Sequence, residues 1–385
     1  MSSYVPASPF DYLPEIYNTI TSTAQDAVSS IVLAASLASL SLHVGSSKLM
    51  NYAHSHYSGA LIRTNAALAS SNTATLDSSL IAVLLLGLYE AITFSGLRSP
   101  TSWTAHTHGA VELIRLRGTK QLRTNLGRRL FLQTCNNIRG SCIQRWVAVP
   151  DEFLQLYEQA KPFLDPSTPN VRLGPLIDEV ASLKARVRQV LQVQSMSGAV
   201  HEALQLDEEA RALEDMLPDS WRYKVIPPHM APTSAYQGLA HQYPAHRVAR
   251  HWNILRLIRL FLNEVVWGVA AFFARAEEEG MTEISRHCKD FDNAALQAAA
   301  ATNRAQLVTD ILASAPQFLG EDGTTFTPAA RFLIWPLTVV AEIPRTPEPS
   351  RRYAIRCLYE IASQARIPQA LQAARAVDSG SSTSW

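Results

Sequence analysis

The chain has 385 residues, 47% of them hydrophobic and 17% charged, with a net charge of +1. That is a globular composition, not a disordered one, and its near-neutral balance excludes the general cationic surplus with which a protein neutralises roughly 6–10 phosphates of a DNA site. The four cysteines, Cys135, Cys142, Cys288 and Cys357, are too few for a disulfide scaffold in a chain this long and point to a reducing compartment.

Read from the N-terminus, MSSYVPASPFDYLPEIY has neither a positive start nor an apolar core, so it is no secretory signal. Helical periodicity then dominates. Segments 26–44, 47–70, 77–95 and 103–117 read as helices, then 151–160, 200–216, 247–279, 290–314, 328–342 and 350–364. LIDEVASLKARVRQVLQV is amphipathic: Ile177, Val180, Leu183, Val187, Val190 and Leu191 recur at three- and four-residue steps, with Glu179, Lys184, Arg186 and Arg188 between them. The longest apolar runs, Leu80 to Tyr89 and Val265 to Phe273, fall short of the ~18 residues of a membrane span and read as buried core helices. No convincing set of alternating strands and no Asn-Gly or Asp-Gly hairpin between apolar runs is found. The expected class is all-α, a large irregular multi-helix bundle.

Punctuation supports several boundaries. Gly118 after Arg115 and Arg117 suits a left-handed helix cap with cations at the negative end. Thr327-Pro328 reads as an N-cap followed by proline at the first helical position. Pro336 is expected to kink or break FLIWPLTVV. Five prolines between Leu217 and His246 forbid a continuous helix, leaving a linker or an irregular surface segment. The expected organisation is therefore an N-terminal segment 1–24, a body 25–377 with halves 25–216 and 247–377 joined by 217–246, and a disordered tail 378–385. No internal repeat is present.

Tests for chemistry are negative. His106 and His108, like His54 and His56, are two apart and would point about 200° from one another on a helix, whereas helical zinc ligands share a face. HEALQ at His201 lacks the second histidine of a zinc protease. His241, His246 and His251 are five apart with Pro244 between. Cys135 and Cys142 have a gap found inside binuclear zinc clusters, but such clusters need six cysteines, so these read as buried hydrophobes. No phosphate loop, dinucleotide fingerprint or nucleophile elbow occurs. The acidic stretch LDEEARALEDMLPD, with Asp207, Glu208, Glu209, Glu214 and Asp215, has no second acidic motif opposite it and reads as a solvated helix face. The arginines of HRVARHWNILRLIRLFLNEVV (Arg247, Arg250, Arg256 and Arg259) lie on a largely apolar helix and are expected to pair with carboxylates or cap carbonyls.

A succession of short motifs remains. A leucine-rich helix ends in Tyr89-Glu90; a helix follows with Trp103, His106, Gly109-Ala110, Leu113 and Arg117-Gly118; Asn253, Arg256 and Arg259 mark a central helix, and Trp335-Pro336-Leu337 a late one. In order and spacing this resembles the C-terminal regulatory region of fungal transcription factors of the binuclear zinc cluster class, over about residues 25–377. The resemblance implies an α-helical, non-catalytic regulatory module of nuclear activators, many of them controlling metabolic gene clusters. Its partners would be proteins of the transcription machinery or a DNA-binding relative, with homo- or heterodimerisation in prospect and no membrane. The family's six-cysteine cluster, basic linker and heptad run are missing from this sequence, so no zinc or other cofactor is expected in it, and direct sequence-specific DNA binding is placed in doubt. The expected location is the nucleus, or the cytoplasm for a protein without any DNA-binding segment.

The motif residues themselves are expected to be structural. Ala110, Val111, Leu113 and Ile114 would face the core, Glu112 and the arginines would lie at the margin or pair with neighbours such as Glu90, His106 would satisfy free backbone groups near the helix start, and Gly109 would permit close helix contact. Two other readings are a metal-dependent enzyme acting on a hydrophobic substrate through Asp207 and the histidines, and a helical interaction scaffold with no DNA role.

Overall fold

Small residues set the first packing unit. Helices α2 (Ala27–Val44) and α3 (Ser47–Leu68) are joined only by Gly45 and Ser46, and they pack together as a helical hairpin. The buried positions are mainly alanines, Ala34, Ala35 and Ala38 on α2 with Ala53 and Ala60 on α3, which let the two backbones approach. Gly45 ends α2 in the left-handed region (φ 70°), a conformation that costs a Cβ-free residue nothing. The Ser46 hydroxyl then accepts from the Leu49 N–H to start α3. A computed structural model describes residues 10–20, 26–94, 101–188, 193–279 and 292–380.

Around this hairpin the described chain is almost wholly helical, in line with the all-α expectation. Helix α1 (Leu13–Ile20) precedes it; the short α4 (Ser71–Ala74), α5 (Asp77–Thr93), α6 (Thr101–Arg117), α7 (Asn125–Arg145), α8 (Asp151–Ala160), α9 (Pro169–Arg188) and α10 (Val193–Asp215) follow. After an irregular stretch come α11 (His246–Glu278), α12 (Asn293–Ala313), α13 (Ile334–Glu342), α14 (Glu348–Gln364) and α15 (Pro368–Asp378). Helix α5 is a centre of the N-terminal part: Ser79 through Gly87 are all buried, enclosed by α2, α3, α6 and α7. Helix α11, 33 residues and about 50 Å long, is the axis of the rest and packs against α10 and α12. One cluster of buried apolar side chains extends from Tyr12 to Val377.

Several elements differ from the sequence reading. Helix α7, 21 residues long, was not expected; its buried face mixes Leu130, Phe131 and Ile138 with Gln133, Thr134, Arg139 and Ser141, which hides the apolar period. Helices α1 and α15 and the four-residue α4 were likewise not expected. The segment 217–246 holds three 3₁₀ turns and a two-stranded antiparallel ribbon, β1 (Lys224–Ile226) and β2 (Ala240–Gln242), with Val225 opposite His241. Three-residue strands are too short for alternation to be visible in sequence. The expected helix 328–342 is divided: a 3₁₀ turn, Pro328–Leu333, gives way to α13. Pro336 is the third residue of α13, where its missing N–H would have no intrahelical partner anyway. Thr327 stands at the N-cap position, yet its hydroxyl bonds the Phe318 carbonyl, so it does not cap. Two helices, α2 and α11, are long and apolar enough to cross a membrane by length and composition, although the run Leu80–Tyr89 and the run Val265–Phe273 are each too short alone; half of the α11 stretch is buried in the core. Cys288, Val190, Leu191 and the tail beyond 380 lie outside the described residues.

Candidate functional site

The motif residues fall into three separate groups. The first lies where α3, α5 and α6 meet. Tyr89 is buried and stacks on Tyr57, with ring centroids 4.3 Å apart. The Tyr57 hydroxyl donates to Glu90 Oε1 at 2.5 Å, and burial followed by this bond raises the Tyr57 pKa. His106 is half-buried in the second turn of α6. Burial lowers its pKa below 6.5, with Glu90 acting in the opposite sense. Glu90 therefore serves Tyr57 and His106, and the α6 arginines go elsewhere: Arg115 pairs with Glu112 on the surface, and Arg117 pairs with Asp77 in the first turn of α5. Ala110, Leu113 and Ile114 are buried and Val111 half-buried, as expected of the core face. Trp103 lies in α6, but its side chain is outside the described residues.

Gly118 has φ 57°, which agrees with a left-handed cap, but the chain continues as a 3₁₀ turn to Arg123. The carbonyls at the end of α6 are covered by a side chain that sequence reasoning missed: Gln121 Nε2 donates to Ile114 O at 2.7 Å and to Gly118 O at 2.8 Å. Gly109 does not mediate close helix contact, because a Cβ there would meet no atom within 4 Å. Among the described residues, close approach is found instead at Gly127, where a Cβ would lie 1.9 Å from Gln121 O in the preceding turn, and at Gly174, where it would lie 2.4 Å from the Arg139 guanidinium. Arg139 uses that space: it is fully buried, forms a two-pronged pair with Asp178 (2.8 and 2.6 Å), and lies 4.0 Å over the Tyr157 ring.

The second group is the most developed polar site. Asn253 and Arg256 are buried on α11. Arg256 Nη1 donates to the Tyr243 hydroxyl at 2.5 Å and to Asn253 Oδ1 at 3.1 Å, and Asn253 Nδ2 donates to Ser314 Oγ at 2.8 Å. The guanidinium is surrounded by the rings of Tyr223, Trp252 and Tyr243, at 5.0, 5.5 and 5.8 Å. Burial opposes its charge, but Tyr243, Tyr223 and Asp310 favour it, and its pKa is raised. His241, on β2, approaches Asp310 to 4.0 Å and is held neutral to about pH 3 by burial and by Arg256. Arg256 thus anchors the β1–β2 ribbon to α11 through aromatic faces and a tyrosine hydroxyl, neither the carboxylate pair nor the carbonyl cap expected of the arginines on this helix.

One helical turn on, Arg259 does meet carboxylates: Asp207 at 2.9 Å and Glu214 at 3.2 Å. Asp207 also accepts from Asn263 at 3.2 Å and faces Arg211 at 3.2 Å. The reading of this acidic stretch as a solvated face therefore fails at Asp207, which is buried, and at Glu214, while Glu208 and Glu209 are exposed. Helical spacing puts 207, 210 and 214 on one face, and α11 supplies the cation that makes burial tolerable.

The third group is around Trp335. Its ring lies 6.3 Å from that of Phe261, and Phe261 in turn covers Lys184, whose Nζ is 3.5 Å from the ring centroid. Lys184 is buried, donates to Ile143 O at 3.0 Å and lies 4.0 Å from the Trp146 ring. Burial lowers its pKa to about 7. Trp146 holds a left-handed backbone (φ 59°), rare for so bulky a residue. As chemistry, these groups neutralise, cap and stack. Among the described residues, no three His, Cys, Asp or Glu side chains gather as a metal site would require. His54 and His201 bond carbonyls one turn back on their own helices, and His251 bonds Asn170 at 3.1 Å. Cys135 and Cys142 are free and buried.

The N-terminal group has a closure of its own. Asp11 pairs with Arg129, and the Tyr12 hydroxyl donates to Gln133 Oε1 at 2.9 Å, so the residues before α1 are fastened to α7. The same interval is the one that comparison picks out. Residues 11–139 match the fungal specific transcription factor domain. This domain's model covers about a third of the chain, starting before the expected boundary at 25 and ending inside α7. Tyr89, Glu90, His106, Gly109, Arg117 and Gly118 lie within the fungal transcription factor domain match, whereas Asn253, Arg256, Arg259, Trp335 and Pro336 lie beyond it. No curated protein and no solved structure matches the chain.

Proposed function

We propose that this chain is the regulatory body of a fungal transcription regulator of the zinc cluster type, working in the nucleus through protein partners or an effector and not through catalysis. The observation that carries the reading is the match of residues 11–139 to the fungal specific transcription factor domain. The side-chain chemistry is compatible with it: the polar motif residues with the best geometry are engaged in internal packing, as in a scaffold that holds a shape for a partner. The metal-dependent alternative needs a free acidic helix, but Asp207 is already neutralised by Arg259 and Arg211.

Partner capture tests this reading against a scaffold with no DNA role. The tagged full-length chain, expressed in a fungal host, is purified from nuclei after nuclease treatment, and its companions are identified. The proposal expects nuclear recovery and co-purification of transcription machinery or a DNA-binding regulator. Exclusion from the nucleus, with only cytoplasmic companions, would overturn it.

A further inference from the structure

The outward face of α2 is apolar where a surface helix is normally charged. Ala27–Val44 contains no Asp, Glu, Lys or Arg. Six of its 18 residues, Val28, Ile31, Ala34, Ala35, Ala38 and Ser41, are buried, and the helix packs on α3 and α5. On the opposite side, by the 3.6-residue period, Leu33, Leu40 and Val44 are 42%, 47% and 56% exposed, with Leu37 half-buried at their margin. A single exposed leucine is ordinary; these side chains share one face of an uncharged helix and form a stripe.

The spacing of the stripe identifies what fits it. Leu33, Leu37, Leu40 and Val44 follow one another at steps of four, three and four, the pattern by which two helices interdigitate. The steps read the same in both directions. Two copies of α2 lying antiparallel about a two-fold axis between Ala38 and Ser39 therefore match without a gap: Leu33 meets the partner's Val44, and Leu37 meets the partner's Leu40. Ser29 and Ser36 lie beside the stripe and add little bulk. An uncharged helix meets no like-charge repulsion from its own copy, and the antiparallel arrangement sets each helix N-terminus beside the partner's C-terminus. A lipid surface fits less well, because helices that lie on membranes carry Lys and Arg along their polar border and α2 has only His43. The stripe covers less than two heptads, too short to pair free peptides. In the hairpin, however, α2 is already folded, so association carries no cost of helix formation.

We propose that α2 is a homodimerisation surface, on which two copies of this chain pair antiparallel through Leu33, Leu37, Leu40 and Val44. The surface follows from this geometry whether or not the protein regulates transcription. One helix face offers less area than the ~800 Å² per partner of a standard interface, so the dimer is weak, populated at about 100 µM and largely dissociated at about 1 µM.

The test uses the full-length chain. Sedimentation across that concentration range is expected to show a monomer–dimer equilibrium. Leu33→Glu and Leu40→Glu each put two carboxylates into the symmetric seam and should weaken the dimer by about tenfold or more. Both positions are exposed, so the variants should keep the parent's circular dichroism and urea midpoint. The milder Leu40→Ser gives the same comparison, with a smaller loss, should a charged variant fail to fold. Cysteine pairing reads the direction: on oxidation, Leu33→Cys mixed with Val44→Cys should form a mixed disulfide, and Leu33→Cys alone should not link to itself. A chain that stays monomeric at the highest concentration would overturn the proposal. So would a dimer that the seam variants leave intact, or self-linking of Leu33→Cys without the mixed pair, which would mark a parallel seam. Flotation with phosphatidylcholine–phosphatidylserine vesicles completes the test: binding by the monomer that is lost in Leu40→Glu would assign the face to lipid and overturn the dimer.

Discussion

At the scale of single residues, space and charge distinguish motif positions that look alike in sequence. Gly109 and Gly174 both sit in helices, but only Gly174 lies against a buried guanidinium. Gly174→Ala should push the Arg139 guanidinium out of its pair with Asp178 and cost about 3–5 kcal/mol, because a buried ion pair is broken. Gly109→Ala has open space at its Cβ and should stabilise, by up to about 1 kcal/mol, through helix propensity. Urea unfolding of the two variants checks both; a similar loss in each would show that the packing around Gly174 is misassigned. Arg256 gives a second contrast. Arg256→Lys keeps a charge but loses the flat, forked donor that reaches both Tyr243 and Asn253, and should behave as a disruptive change, about 2–3 kcal/mol, despite its conservative appearance.

At the scale of elements, Lys184 links α9 to α7 and α11 and carries a pH signature. Its folded pKa is about 7 against an ordinary 10.5. Between those values the unfolded chain holds a proton that the folded chain releases, so stability rises with pH across pH 7 to 10.5 and the full penalty of the buried charge applies below pH 7. Lys184→Met should flatten that rise and stabilise most at low pH, by about 3 kcal/mol. Denaturant midpoints measured at pH 6.5 and 9.5 decide it; an unchanged pH slope in the variant would refute the assignment. The legibility of each element follows similar physics. Helices such as α5 and α11 were visible because their burial is apolar and long. Helix α7 was not, because Arg139, Gln133 and Thr134 lie on its buried face and only tertiary partners, Asp178 and Tyr12, make that tolerable. The same limit hid the Asp207–Arg259 pair and the cage around Arg256. Sequence indicated that these arginines would be paired, but not that one would find carboxylates and the other aromatic rings. Gln121 gave no signal, since it belongs to no spacing pattern, and Lys184 was read among the polar positions of its amphipathic helix although it stands four residues after Val180 on the buried face.

At the scale of the whole molecule, the continuous cluster from Tyr12 to Val377 couples the N-terminal matched region to the later helices. Two histidines deep in it, His241 and His251, are both held neutral to about pH 3, by burial first and then by Arg256 and Arg247 respectively. Below pH 6.5 the unfolded chain takes up protons there that the folded chain refuses, so their contribution to stability is lost as pH falls from 6.5 toward 3. His251→Gln should reduce this acid sensitivity, read as the change in denaturant midpoint between pH 7 and 5; acid sensitivity equal to the parent's would contradict it.

Whether this helical body regulates transcription is measured most directly by tethering. The full-length chain is fused to a heterologous DNA-binding module and brought to a reporter carrying that module's site in a fungal host. The expected result is a change in reporter output of several-fold relative to the module alone, in either direction, that is lost when Gly174→Ala unseats the Arg139 pair. An expressed, folded and nuclear fusion that leaves the reporter at the level of the module alone would contradict it.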